Sequence, residues 1–339
     1  MPFGAKNHRI RHLKNGSRTL YINNALTTRL ASGQLDALEL ACMDCGYDLV
    51  DAPEIETMAQ ILKENPSALA MIDCQGFREA VVAGTEIEMR QLILLAIERE
   101  NLMIIDVIEK IKSLRYLVAT SGPALLRGLV SSILEFHLSE CIRGVFPRLV
   151  SLDNLVQKTM TVVNSSEKSK MQELISEFFT EELTRNKDKI VAGTSSFSKN
   201  LGDIADEFLM NAIWDANPLF ENADRTTALE LGEPDQVQIE CSSDGMTFCL
   251  SITDKHGSFP ESAMLKPLRF ALGTREETKL NEGTGGAGIG LYMILQKAPV
   301  LLYEIEKGRT TKAIALMRLD QSFKDIQRKP KTVLFFTRD

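Results

Sequence analysis

The chain has 339 residues, of which 25% are charged and 44% hydrophobic, and its net charge is −7. At roughly 150 residues per domain this predicts two or three domains, and the composition excludes collagen-like, low-complexity and disulfide-scaffold classes. Six scattered cysteines, no apolar run of the about 18 residues a membrane helix needs, and a polar start predict a cytoplasmic protein with no membrane span and no nucleic-acid partner.

Residues 1–18 hold Lys6, Arg9, Arg11, Lys14 and Arg18 and no acid, which predicts a basic flexible tail. From 19 to 122, short apolar runs alternate with helical patterns. Residues 19–22, 47–50 and 68–72 read as strands, the third closed by Asp73. Residues 54–64 read as an amphipathic helix with Ile55, Met58, Ile61 and Leu62 on one face. A helix is expected over 86–100, and two further strands over 102–105 and 116–119. Alternating β and α units of this kind predict a doubly wound parallel sheet. Residues 123–190 read as a helical connector with a polar break over 163–170. Ile133, Phe136, Ile142, Leu149, Leu152 and Leu155 form its apolar stripe, packing on another helix within the chain or across a homodimer.

From 191 to 320 the character changes. Residues 204–214 predict a strong helix. Residues 237–241 and 246–253 read as strands around Ser243-Asp244-Gly245. Met246, Phe248, Leu250 and Ile252 alternate with polar residues, as in a half-buried antiparallel strand. A charged loop is expected over 255–288, then a helix from near Gly290 to Lys297. A second hairpin, over 300–306 and 311–319, turns at Lys307-Gly308-Arg309. This is a mostly antiparallel sheet with helices to one side. Residues 321–339 read as a C-terminal extension.

Three pieces of this region carry chemistry. In the first, Glu207, Asn211 and Asp215 lie four apart on one helix face. Asn offers a neutral oxygen suited to Mg²⁺, and a Glu one turn earlier can accept a proton from an attacking hydroxyl. In the second, Asp254 ends a strand, where a carboxylate can accept from an exocyclic amine, and Gly257 lets backbone approach a base closely. In the third, Gly283, Gly285, Gly286, Gly288 and Gly290 precede a helix, and bare amides at a helix N-terminus bind phosphate.

In this order and spacing the three pieces resemble the N box and the two glycine boxes of the GHKL ATPase superfamily, which includes sensor histidine kinases and anti-sigma-factor serine kinases. The resemblance covers about a third of the chain. It implies an α/β sandwich that binds ATP and Mg²⁺, with Asn211 as metal ligand and Glu207 at the general-base position. It further implies adenine held by Asp254 and, through water, Thr311. Asp215, Gly257, Gly285, Gly286, Gly288, Gly290 and Leu291 would complete the nucleotide site, with residues 258–285 as a lid. Asp254-Lys255-His256-Gly257-Ser258 departs from the usual Asp-x-Gly-x-Gly.

Residues 19–122 resemble a response-regulator receiver in element order, with Asp73 at the phosphoacceptor position. Asn23 and Asn24 replace the acidic pair and Ala119 replaces the lysine, so a pseudo-receiver is expected. His137 lacks the flanking residues of a phosphoacceptor histidine and reads as a helix-surface residue. Cys42 and Cys45 read as packing residues, not zinc ligands. Together the resemblances imply a bacterial signalling regulator that binds ATP·Mg²⁺ and controls a protein partner. The alternatives are a serine/threonine kinase of the anti-sigma type and an atypical histidine kinase using His137. Whether it is an enzyme stays open.

Overall fold

The computed structural model describes residues 18–52, 54–97, 107–108, 110–119, 122–139, 149–189, 196–220, 223–225, 227–272 and 287–339. Residues 1–17 of the expected basic tail, the strand at 102–105, Ile142 and the glycines at 283–286 lie outside them, while Arg18, the last residue of that tail, opens the first strand. Eleven strands form one mixed sheet ordered β2-β1-β3-β4-β5-β11-β9-β10-β8-β7-β6.

Its first half is β1 (Arg18–Asn23), β2 (Tyr47–Ala52), β3 (Leu69–Asp73), β4 (Leu92–Ala96) and β5 (Tyr116–Ala119), all parallel. Alternate residues feed two cores. Leu20, Ile22, Met71 and Ile93 pack with α1 (Asn24–Arg29), α2 (Ser32–Cys45) and α5 (Pro123–Ser139). Tyr21, Ile72 and Leu94 face α3 (Ile55–Glu64) and α4 (Cys74–Val82). Strands buried on both faces read as continuous apolar runs. That is why the helix expected over 86–100 is instead the strand Leu92-Ile-Leu-Leu-Ala96: five apolar residues in a row carry no period to tell strand from helix.

The second half is antiparallel: β6 (Val156–Val162), β7 (Val237–Ser243), β8 (Thr247–Asp254), β10 (Thr310–Arg318) and β9 (Val300–Glu306). Helices α6 (Lys168–Arg185), α7 (Phe197–Met210), α8 (Leu265–Leu272) and α9 (Ala287–Lys297) follow or interrupt these strands. Residues of α6, α7 and α9 share a core with Phe248, Leu250 and Ile252 of β8. Cys249 of β8 joins the other core, so this strand is buried on both faces rather than half-buried. Gly202 lets α7 lie against α6, since a Cβ there would meet Ser176 Oγ at 2.4 Å.

Three expectations about organisation are corrected. The helical connector is split. Its first part, α5, packs on α2 of the same chain, with Arg127 paired to Asp44 and Cys45 Sγ meeting the Ser131 carbonyl at 3.6 Å. Its second part supplies β6 and α6 to the antiparallel half; β6 is a mostly exposed edge strand whose polar face mimicked a linker. Within the expected charged loop, residues 261–272 form a 3₁₀ turn and α8. Finally, the expected C-terminal extension contains α10 (Phe323–Arg328) and β11 (Thr332–Arg338). Strand β11 lies at the centre of the sheet, antiparallel to β5 and parallel to β9. Phe335 and Phe336 on it are fully buried, one in each core. Lys331, just before β11, is also fully buried and donates to the Ile326 carbonyl. Burial pushes its ammonium down to about 7.

Candidate functional site

Helix α7 ends in a π-turn. The amide of Ala216 donates to the carbonyl of Asn211 at 2.7 Å, and residues Asn211–Asp215 take the wider winding. Such turns frequently mark functional sites. They bring one extra residue into the helix, and here Ala212, Ile213 and Trp214 are all buried. Asn211 stands half-buried at the start of the turn, and its side-chain amide makes no hydrogen bond among the described residues. Asp215 at its end is exposed and paired with Arg225 at 2.5 Å.

Glu207 lies one helical turn before Asn211. Its neighbouring lysines are taken: Lys168 pairs with Asp206 at 2.7 Å and Lys297 with Asp203 at 2.6 Å. Burial, reinforced by the Asp206 charge, pushes the Glu207 carboxyl above the usual range, against the pull of the two lysines. Against this carboxylate sits the backbone of α9 at Gly290. A Cβ at Gly290 would lie 1.9 Å from Glu207 Oε2, so any side chain would displace the acid. Gly288 falls in the first turn of α9, and Leu291 beside Gly290 is buried. Gly285 and Gly286 lie outside the described residues.

Asp254, at the end of β8, is 6% exposed. Its Oδ1 accepts from the amides of His256 (2.9 Å) and Gly257 (3.3 Å). Thr311 faces it across the β8–β10 ladder. The Thr311 hydroxyl is buried without a well-formed hydrogen bond, though close enough to favour the ionised Asp254. Burial nonetheless raises the Asp254 carboxyl above its ordinary value; the two amides, the His256 side chain and Thr311 oppose the rise. Gly257 has φ +61°, and a Cβ there would sit 2.0 Å from the Glu306 carbonyl. Only glycine lets this loop lie against the β9–β10 turn.

The structure thus brings together Glu207 with Gly290, and Asp254 with Gly257 and Thr311. It also ties the two groups to each other, because Ser258 Oγ donates to the Ala216 carbonyl at 3.0 Å. Several supporting residues carry no motif of their own. Asp235 gathers Asn217 Nδ2 (2.9 Å) and His256 Nε2 (3.6 Å), the histidine standing where a glycine was expected. Phe259 stacks on Tyr303 at 4.6 Å, and Tyr303 on Phe335 at 5.0 Å. Only the run Gly257-Ser258-Phe259-Pro260 hinted at a packed turn.

Asp73 is different. It caps α4, accepting from the Gly76 amide at 2.7 Å through Oδ1, and pairs with Arg29 through Oδ2. Asn23 caps α1, accepting from the Ala25 amide at 2.7 Å. His137 is half-buried on α5; burial lowers its pKa, against the pull of the nearby Ser67 and Pro66 backbone. Cys42 and Cys45 are buried, and burial raises the Cys42 thiol to about 12. Among the described residues there is no cluster of three His, Cys, Asp or Glu side chains able to hold a metal, and no helix long and apolar enough to cross a membrane. No protein-family model and no curated protein matches the chain.

Proposed function

We propose that the antiparallel half is a GHKL-type nucleotide-binding unit that holds ATP·Mg²⁺ and controls a protein signalling partner, with the parallel half acting as a pseudo-receiver. The observation that carries this reading is that Gly290 packs directly on Glu207, Thr311 faces Asp254, and Ser258 Oγ joins the loop after Asp254 to the Ala216 carbonyl at the end of the Asn211 turn. Asp254 is a buried carboxylate suited to an adenine amine, and the Thr311 hydroxyl facing it is a buried polar atom without a well-made partner, which suits a bridging water. The donor set also suits the metal: Asn211 would give an oxygen to Mg²⁺, with Glu207 near enough in the helix to orient a water. When bound there, Mg²⁺ would neutralise charge on the phosphate oxygens. The amides at the start of α9 would meet the same phosphates.

Calorimetric titration with ATP, with and without Mg²⁺, tests the reading. Saturable, Mg²⁺-dependent binding that is lost in Asn211→Ala is the expected result. Absence of heat from the wild-type chain would overturn it.

A second reading is a serine/threonine kinase of the anti-sigma type, favoured by the raised, unpaired Glu207 carboxyl, poised to accept a hydroxyl proton. Transfer of label from γ-labelled ATP to an added protein, and not to His137, separates it from a binding-only switch and from an atypical histidine kinase.

A further inference from the structure

A second cleft, of about 1660 Å³, opens where the parallel strands begin and where β9 and β11 end. It lies at the opposite end of β3 from Asp73. This is larger than most small-molecule sites, which run to roughly 1,000 Å³. Three buried polar atoms on its lining residues have no hydrogen-bond partner: the Tyr47 hydroxyl, Thr337 Oγ1 and Arg338 Nε. Tyr47 is 4% exposed, so its hydroxyl is a nine-tenths-buried donor with nothing to donate to. Buried polar groups in folded proteins are nearly always satisfied, and three orphans on one cleft need an explanation.

The charges give the orphans a direction. Arg115, Arg338 and Lys307 are held by Glu261, Glu306 and Asp339. Arg18 makes no ion pair among the described residues, and its charge reaches both Tyr47 and His137. Arg115 presses on His137 as well, so two guanidinium groups oppose protonation of that half-buried imidazole. Glu56, Glu86 and Glu88 also line the cleft, alongside Lys63 and Arg90, and make no ion pair among the described residues. Arg18 and Tyr47 are opposite each other on the β1–β2 ladder, so the end near His137 is the one where an unpaired positive charge and an orphan donor coincide.

We propose that this end of the cleft binds a small phosphorylated, oxygen-rich anion, with Arg18 and the Tyr47 hydroxyl as its direct ligands and His137 as a third donor once protonated. The site is independent of the nucleotide site above: it shares no residue with it. An anion placed between Arg18 and Arg115 removes the repulsion felt by His137 and favours its charged form.

Inorganic pyrophosphate is the probe, titrated into the full chain at constant ionic strength. Proton NMR follows the imidazole signals, and His137→Gln identifies the one that matters. The expected result is a rise of about half a pH unit in the His137 midpoint at saturation. Binding, measured with Mg²⁺ present, should weaken about tenfold in Arg18→Ala and several-fold in Tyr47→Phe, and stay unchanged in Asn211→Ala. An unmoved His137 midpoint in the wild-type chain overturns the proposal. So does a shift that Arg18→Ala and Tyr47→Phe leave intact, and so does a shift lost in Asn211→Ala, which would place the probe in the nucleotide site. Failure of ATP binding with the His137 response retained would sink only the earlier reading.

Discussion

Two buried carboxylates end strands in the two halves of this sheet. Asp73 closes β3 in the parallel half, Asp254 closes β8 in the antiparallel half, and both are nearly inaccessible. Their surroundings differ in one respect. Asp73 spends one oxygen on the Gly76 amide and the other on Arg29, so its own chain satisfies it completely. Asp254 has both of its amide donors on one oxygen. Neither residue's identity distinguishes these cases. The partner set does: a carboxylate answered by its own fold is structural, whereas one left half-answered in a buried place is suited to a ligand.

The largest expected effect breaks or upholds this contrast directly. Asp254→Ala should weaken ATP·Mg²⁺ binding by about 100-fold, the worth of one buried hydrogen bond to a charged group, while Asp73→Ala leaves it within about twofold. Calorimetry on both variants reads the difference, and equal losses would erase it. Next comes Gly290→Ala. Its methyl would occupy the place of the Glu207 carboxylate, so a loss of about 2 kcal/mol in urea unfolding is expected. Gly76→Ala brings a Cβ only to 3.1 Å from Asp73 Oδ1 and should cost less. Arg29→Ala strips a partner from the buried Asp73. A cost of about 1–3 kcal/mol is expected, with ATP binding unchanged.

The smallest effect carries the opposite sign. The Asp254 carboxyl is raised by burial, so the folded state binds its proton more tightly than the unfolded state does. Its ionisation therefore costs stability, and the cost sets in as pH rises past the ordinary carboxylate range. Asp254→Asn should stabilise the chain at pH 7 and flatten that part of the stability–pH curve, while still weakening ATP binding. A variant less stable than wild type at pH 7 would mean that the two amides outweigh burial.

The hairpins of the antiparallel half were legible because turn chemistry and period-two alternation agree there: Ser243-Asp244-Gly245 and Lys307-Gly308-Arg309 sit where β7 meets β8 and β9 meets β10. The strand over Leu92–Ala96 was not, because burial on both faces removes the alternation that would reveal it. Strand β6 was hidden for the reverse reason: as an edge it keeps Gln157, Lys158 and Thr159 polar. Of the candidate site, Glu207, Asn211, Asp254 and the glycines were readable from local spacing. The π-turn was not, since no residue type demands it. Arg225, Asp235 and Tyr303 reach the site only through contacts between separate segments, and single-residue patterns do not encode those. The same holds for the Tyr47 cleft, whose walls come from the beginnings of β1, β2 and β5 and the ends of β9 and β11.

Strand β11 is the last of the eleven in the chain and the sixth across the sheet. During synthesis β5 and β9 therefore each wait with one open edge until residues 332–338 emerge, and the two halves cannot close on each other before then. Open edges of apolar strands are places where chains pair wrongly. A cell making this protein must guard the β5 edge from residue 119 until residues 332–338 emerge, well over half of translation, and the β9 edge only for the short stretch after residue 306.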